Sequence, residues 1–267
     1  MTIPGPKATL LAVLLAIDVG NTNTVLGIFD GSKLLHHWRV ETSASRTSDE
    51  YGIQFHQLLT LAGLRPAQID GIAVSNVVPP LSLTLDRMAA RYFPGVRLLA
   101  VGPGIKTGLP ILYENPREVG ADRVVNAVAA YERWRCGLVV VDFGTATTFD
   151  AISQKGEYLG GAIAPGITIS MEALVRHASK LPRVEFARPE HVIGRNTIAS
   201  MQSGLVYGYV GLVDGICGRM AEELGFQPKV VATGGLATLL SGISRSISEV
   251  DDHLTLEGLR LIYERNR

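Results

Sequence analysis

Sulfur is scarce in this 267-residue chain: Cys136 and Cys217 are its only cysteines, and they belong to no CxxC or Cys/His cluster. That excludes a disulfide framework and a zinc site. Both lie in apolar, helix-forming context and are expected as buried thiols, which suits a protein of the reducing cytoplasm. Histidine offers no metal site either. His36 and His37 alternate along a strand and point to opposite faces, while His56, His177, His191 and His253 have no ligand spacing. Lys plus Arg equals Asp plus Glu at 25 each, and no block of like charge occurs, so nothing suggests a polyanion-binding surface. Aromatic content is 6%, too low for a stacking platform for single-stranded nucleic acid. No segment reaches the roughly 18 apolar residues of a membrane span. Neither nucleic acid nor membrane is therefore expected as a partner.

One phosphate-binding motif is also missing. The nearest approach to GxxxxGK[ST] is Gly102-Pro103-Gly104-Ile105-Lys106-Thr107, which has Ile105 where the second Gly belongs. The same stretch fails GxGxxG at Thr107. At the N-terminus, Lys7 followed by ATLLAVLLAI imitates a signal peptide, but the run flows into Asp18-Val19-Gly20 without a small-residue cleavage site. Residues 1–9, with Pro4 and Pro6, read as a disordered leader, and the apolar run reads as the first strand.

What is present is one loop pattern written twice. LLAIDVGNTNTVLGIF carries Asp18, Val19, Gly20, Asn21, Thr22, Asn23, Thr24 and Val25; LVVVDFGTATTFDAIS carries Asp142, Gly144, Thr145, Ala146, Thr147 and Thr148. Each is a buried apolar strand, then Asp-x-Gly, then small hydroxyl or amide residues, then an alternating strand. Gly20 and Gly144 allow a sharp turn and close approach to a ligand. Backbone N–H groups and Thr or Asn side chains can then hold phosphate oxygens, while the Asp holds a hydrated cation. Ordinary polar-tipped hairpins are the alternative, which the repetition in each half of the chain disfavours.

The pattern predicts strands at about 10–18, 24–30 and 33–40, a helix at 48–62, strand 69–75, helix 80–92 and strand 96–101. A Gly/Pro-rich crossover at 102–118 follows. The second half reads as helix 120–134, strands 138–142, 145–152 and 157–163, helices 167–177 and 197–224, strand 229–232, helix 235–241, strand 247–250 and helix 254–264. Gly160-Gly161 and Pro165-Gly166 read as a turn into helix 167–177. This order predicts an α/β protein of two duplicated domains, each a mixed sheet flanked by helices, at 10–117 and 118–267, with the ligand cleft between them.

The paired loops resemble those of the actin/hexokinase/acetate-kinase superfamily, whose members are duplicated actin-like ATPase-type (ribonuclease H-like) domains that clamp a nucleotide. VATGGLA, with Gly234 and Gly235, looks like its adenosine-contacting segment. YENPREVGADRVVNA and GPGIKTGLP are similar to the signatures of type III pantothenate kinases, and the resemblance covers Leu10 to Glu264. It implies ATP-dependent phosphorylation of pantothenate, the first step towards coenzyme A. It further implies ATP with Mg²⁺ held by Asp18 to Val25 and Thr145, and Asp122 as catalytic base. Pantothenate would be bound by Tyr113, Gly120, Ala121, Asp122, Arg123 and Thr197. Asp142 would bind a monovalent cation, K⁺ or NH₄⁺, offsetting phosphate charge where no loop lysine exists. A homodimer with a shared acceptor pocket completes the set.

Read as residues alone, Asp122 could be a helix-start preference, Asp142 a second magnesium ligand or a turn residue, Arg123 a fork for a carboxylate or a salt-bridge partner, and Thr197 a helix N-cap. The long helix 197–224 carries Gly204, Gly208, Gly211 and Gly215 and needs a close partner, either its own sheet or a second subunit. Competing functions are another small-molecule kinase of the same superfamily and a non-catalytic transcription accessory protein.

Overall fold

The apolar run before the first Asp-x-Gly is a strand because both of its faces find cover. In the computed structural model, which describes residues 13–267, it is β1 (Val13–Val19) at the centre of a five-stranded sheet. β2 (Asn23–Asp30) pairs antiparallel with β1 from Val13↔Asp30 to Val19↔Thr24, and β3 (Lys33–Glu41) pairs antiparallel with β2. β4 (Ile69–Asn76) lies parallel to β1, and β5 (Arg97–Ala100) parallel to β4, giving the order β3-β2-β1-β4-β5. The expected leader at 1–9 and the start of strand one lie outside the described residues.

Two helices make the crossovers. α1 (Ser48–Leu61) starts on a capping box in which Thr47 Oγ1 accepts from Glu50 N and Glu50 Oε2 accepts from Thr47 N at 2.7 Å. α2 (Ser82–Tyr92) follows a 3₁₀ turn at Pro79–Leu81. Leu15, Ile17 and Val19 on one face of β1 pack with Tyr51, Phe55, Leu85 and Met88. The other face is covered by the last helix, Leu254–Arg265: a Cβ on Gly27 would stand 2.8 Å from Leu256 Cδ1, and one on Gly71 would run into Tyr263.

The second half repeats this plan. After α3 (Ala121–Trp134) come β6 (Leu138–Phe143), β7 (Ala146–Ile152) and β8 (Tyr158–Pro165), antiparallel in sequence order. α4 (Ile167–His177) and α5 (Thr197–Leu224) lead to β9 (Lys229–Gly234), parallel to β6. α6 (Ala237–Ser241), β10 (Ile247–Val250) and α7 (Leu254–Arg265) finish the chain. The sheet order β10-β9-β6-β7-β8 is the first sheet's order in the second sheet's own strands. Val139, Val141, Phe143 and Phe149 pack with Met201, Leu205, Val206, Tyr209 and Val213 of α5.

Four local features differ from expectation. The chain divides after Lys106, not at 117, and Thr255–Arg267 groups with the first unit rather than the second. Gly160 and Gly161 lie inside β8 instead of forming a turn. Asn196, not Thr197, caps α5, its side chain accepting from Ala199 N at 2.8 Å; Thr197 is the first helical residue. Cys217 is buried as expected, but Cys136 is half-buried, in the short link that follows Arg135, the left-handed residue (φ 48°) ending α3. Among the described residues, no helix is long and apolar enough to cross a membrane.

Candidate active site

The two Asp-x-Gly loops are hairpin tips of unequal length. In the first, Gly20 N donates to Asn23 O at 3.0 Å; in the second, Gly144 N donates to Ala146 O at 3.0 Å, a tighter turn. Each tip is braced by the end of its third strand: Thr42 N donates to Thr22 O at 2.9 Å, and Gly166 N to Thr145 O at 3.1 Å. Gly166 is required there, since a Cβ would run into the Thr145 carbonyl. Asn21 and Thr22 are exposed, and Asn23 and Thr145 half-buried, so these backbones and side chains are accessible to phosphate oxygens. Val19 is buried and Val25 half-buried, packing residues that can offer only main-chain groups. Thr24 is also buried, with its hydroxyl 2.8 Å from Thr42 Oγ1, so its side chain serves the hairpin.

The residues expected around the acceptor gather in the second unit. Gly120 caps α3 with φ −54° and ψ 140°, which puts Ala121, Asp122 and Arg123 in the helix's first turn. Asp122 Oδ1 accepts from Arg123 N at 2.8 Å. A Cβ on Gly120 would stand 2.5 Å from that oxygen, so glycine makes room for the carboxylate. Burial raises the Asp122 carboxyl above the usual carboxylate range, opposed by the bond from Arg123 N and by the Arg123 charge. A raised value suits a base, because it strengthens the proton acceptor.

Arg123 is buried and turned inward rather than presented as a free fork. Its Nε donates to Asp150 Oδ1 at 2.8 Å, and Nη2 lies 2.7 Å from the same oxygen. Tyr158 Oη donates to that oxygen at 2.6 Å, and Thr148 Oγ1 approaches Oδ2 at 3.4 Å. Asp150 is 0% exposed. Burial works against the Arg123 charge, but Asp150 outweighs it and the guanidinium is held protonated. Burial, reinforced by Asp150, also raises the Tyr158 phenol, so it remains a donor. The crossover reaches the same cluster because Leu112 N donates to Tyr158 O and Tyr158 N to Pro110 O, both at 2.8 Å. That places the Tyr113 ring 6.3 Å from the Tyr158 ring, over Gly160. Thr197 is exposed at the start of α5, and the hydrogen bonds of this cluster do not extend to it.

Asp142 ends β6 beside two groups. Asn126 Nδ2, one turn further along α3 and 1% exposed, donates to Asp142 Oδ2 at 3.0 Å. Gly234, at φ 92°, closes the other side, where a Cβ would stand 2.7 Å from Asp142 Oδ1. The Asp142 carboxylate is itself a hard oxygen ligand, of the kind that alkali and alkaline-earth cations take. Sequence reading missed Asn126 and Asp150. Both stood inside quoted motifs, Asn126 at helical spacing after Asp122 and Arg123, and Asp150 as an acid in an otherwise apolar strand. The alternation of β7 could have flagged the second.

A family model described as type III pantothenate kinase matches residues 14–219. A type III pantothenate kinase from Anaeromyxobacter sp. (strain Fw109-5) is 74% identical over 255 residues, covering 96% of this chain and all of that one. The protein of the same name from Myxococcus xanthus (strain DK1622) is 69% identical, covering 95% of this chain and 99% of its own. Among solved structures, a Campylobacter jejuni protein described as a Baf family transcriptional activator has a TM-score of 0.59 at 20% identity, covering 94% and 98%. The ROK hexokinase from Thermus thermophilus has a TM-score of 0.50 at 14% identity, covering 96% and 100%. At those identities the structural neighbours show the fold alone: an α/β architecture of two mixed sheets flanked by helices.

Proposed function

We propose a division of labour for a chain that belongs to the type III pantothenate kinase family, a kinase that phosphorylates pantothenate in coenzyme A biosynthesis. Asp122 accepts the proton of pantothenate's primary hydroxyl. The hydroxyl oxygen bonds to the γ-phosphorus of ATP as the bridging bond to the β-phosphate breaks, giving ADP and 4′-phosphopantothenate. The observation that carries this role is the position of Asp122: a carboxylate raised by burial, in the first turn of α3, beside Arg123.

Asp18 to Val25 and Thr145 hold the phosphates with Mg²⁺. The support is two glycine-turned tips with exposed amide and hydroxyl groups and a strand-end carboxylate. Asp142 holds K⁺ or NH₄⁺; the support is a strand-end carboxylate whose direction Asn126 fixes. Tyr113, Gly120 to Arg123 and Thr197 bind pantothenate. The enzyme works in the cytoplasm, with neither nucleic acid nor membrane as partner.

It also works as a homodimer through α5. Gly204, Gly208 and Gly211 line an exposed side of that helix, where an added Cβ would meet nothing within 4 Å. The opposite side is spent on the protein's own core. Light scattering should give about twice the chain mass; a fully active monomer would remove the dimer.

The test of the whole reading is incubation with ATP, Mg²⁺, K⁺ and pantothenate, followed by mass spectrometry of the product. Phosphopantothenate is expected. Turnover of a sugar or acetate with none of pantothenate would overturn the assignment.

A further inference from the structure

The second unit contains a buried ion pair that phosphoryl transfer does not itself call for. Asp150 is completely buried in the middle of β7, yet it receives hydrogen bonds from Arg123 Nε at 2.8 Å and Tyr158 Oη at 2.6 Å, and Arg123 Nη2 lies 2.7 Å from the same oxygen as an ion-pair contact. The strand opposite is cleared for this contact. Asp150 pairs with Gly161 across β7 and β8, and a Cβ on Gly161 would stand 2.9 Å from Arg123 Nη2 as well as running into the Phe149 carbonyl. The Arg123 guanidinium carbon lies 6.0 Å from the Tyr158 ring centroid, which limits its sideways movement.

A buried ion pair is a poor way to add stability, because desolvation offsets most of the attraction and apolar residues of equal volume serve as well. It does fix position. Arg123 is the residue after Asp122, and its own N–H is the donor to Asp122 Oδ1. Whatever holds Arg123 therefore sets both the first turn of α3 and the direction of the Asp122 carboxylate.

We propose that Asp150, acting through Arg123 and steadied by Tyr158, is the positioning residue that aims Asp122 at the acceptor hydroxyl. The inference rests on Asp122 being the base and deepens that reading. The charged groups that act on Asp122 are Arg123 from α3 and Asp150 from β7; Tyr158 contacts both of those, and Tyr113 lies against Tyr158. Asp150 shares the Arg123 charge. Without its carboxylate, more of that charge falls on Asp122 and favours ionised Asp122 at lower pH.

The experiment compares wild type, Asp150→Asn and Tyr158→Phe by kcat, KM for each substrate, pH profile and thermal melting. Folded Asp150→Asn is expected to keep its KM for ATP, to lose about 10²-fold in kcat as the base drifts from its aim, and to shift the acid limb of kcat/KM to lower pH. Tyr158→Phe keeps the ion pair and the Asp150 charge, and should lose less kcat, with no shift of the acid limb to lower pH. A folded Asp150→Asn with kcat within about twofold of wild type overturns the proposal. So does lost activity with an unmoved acid limb, which would mark a purely structural role. If Asp150→Asn does not fold, Tyr158→Phe decides: a folded variant with wild-type kcat overturns it. Failure of the pantothenate assignment is seen separately, in the substrate that wild type turns over, and failure of the base assignment in the activity of Asp122→Asn.

Discussion

β1 offers Leu14, Ala16 and Asp18 on one face, and β6 offers Leu138, Val140 and Asp142 on the corresponding face; the helices that cover those faces differ in kind. Over the first sheet, α7 brings Leu256 against Gly27 and Tyr263 against Gly71, while its buried Arg260 is spent within the helix on Glu257 and Glu264. Over the second, α3 brings Arg123 to Asp150 and Asn126 to Asp142. One topology thus carries an apolar seam in one copy and a polar one in the other. Duplication supplies two hairpins of one design, and the helix laid over the second sheet carries the carboxylate proposed as proton acceptor. The shorter second tip agrees with this. Its Asp is bracketed by Asn126 and Gly234, an arrangement that holds a carboxylate in one orientation.

The sharpest way to break the comparison is to strip one charge from each helix. Asp122→Asn on α3 should lower kcat by about 10²–10⁴-fold with the fold intact. Glu257→Gln on α7 should leave kcat within about twofold, because Arg260 keeps Glu264. Steady-state kinetics on both variants checks this, and equal losses would show that the helices do not differ in function.

A second contrast lies in the glycines beneath the two helices. At Gly161 an added Cβ meets main chain, the Phe149 carbonyl, which cannot move without breaking β7 from β8; at Gly27 it meets side-chain methyl groups. Gly161→Ala should cost about 1–3 kcal/mol or somewhat more, and Gly27→Ala less, since Leu256 can change rotamer. Denaturant midpoints give the ranking. A tolerated Gly161→Ala would mean that β8 yields more easily than its hydrogen bonds suggest.

Most of the scaffold was legible. The Asp-x-Gly repeats located both central hairpins, and alternation placed nearly every strand within two residues. Long-range partners were not. Nothing local links Arg123 to Asp150, which meet only because α3 lies across β7. The Gly160-Gly161 pair read as a turn because paired glycines usually punctuate chains. Here they thin a strand so that Tyr113 and Arg123 can approach. The last helix read as part of the second half by position, yet its Leu256 and Tyr263 fit glycine gaps in the first sheet. Asn196 and Thr197 are both acceptable caps, and only the backbone at Asn196, φ −149° and ψ 168°, settles which one caps α5.

The difference between the hairpins can be sharpened through the cation. Turnover should fall several-fold when Na⁺ replaces K⁺, and Asp142→Asn should flatten the potassium titration. Asp18→Asn should instead weaken Mg·ATP and leave the potassium response in place. Initial rates over matched K⁺ and Mg²⁺ series separate the two. Equal rates in potassium-free sodium buffer would assign Asp142 some other duty.

The smallest expected effect concerns stability at the base itself. Burial raises the Asp122 carboxyl, so its folded-state pKa lies above its unfolded value. The folded protein then binds this proton more tightly than the unfolded chain does. The stabilising contribution is complete below the unfolded value near pH 4, and it is lost as pH rises through the folded value. The buried negative charge is a burden that the amide of Asp122→Asn does not carry, and the amide oxygen can still accept from Arg123 N. The inactive variant should therefore melt slightly higher than wild type at pH 7, with the gap closing on acidification towards pH 4. Melting curves for the two proteins at matched ionic strength measure that gap. A variant that melts lower than wild type at pH 7 would mean that attraction between Asp122 and Arg123 exceeds the cost of burial, and that the carboxylate is a structural cap as much as a base.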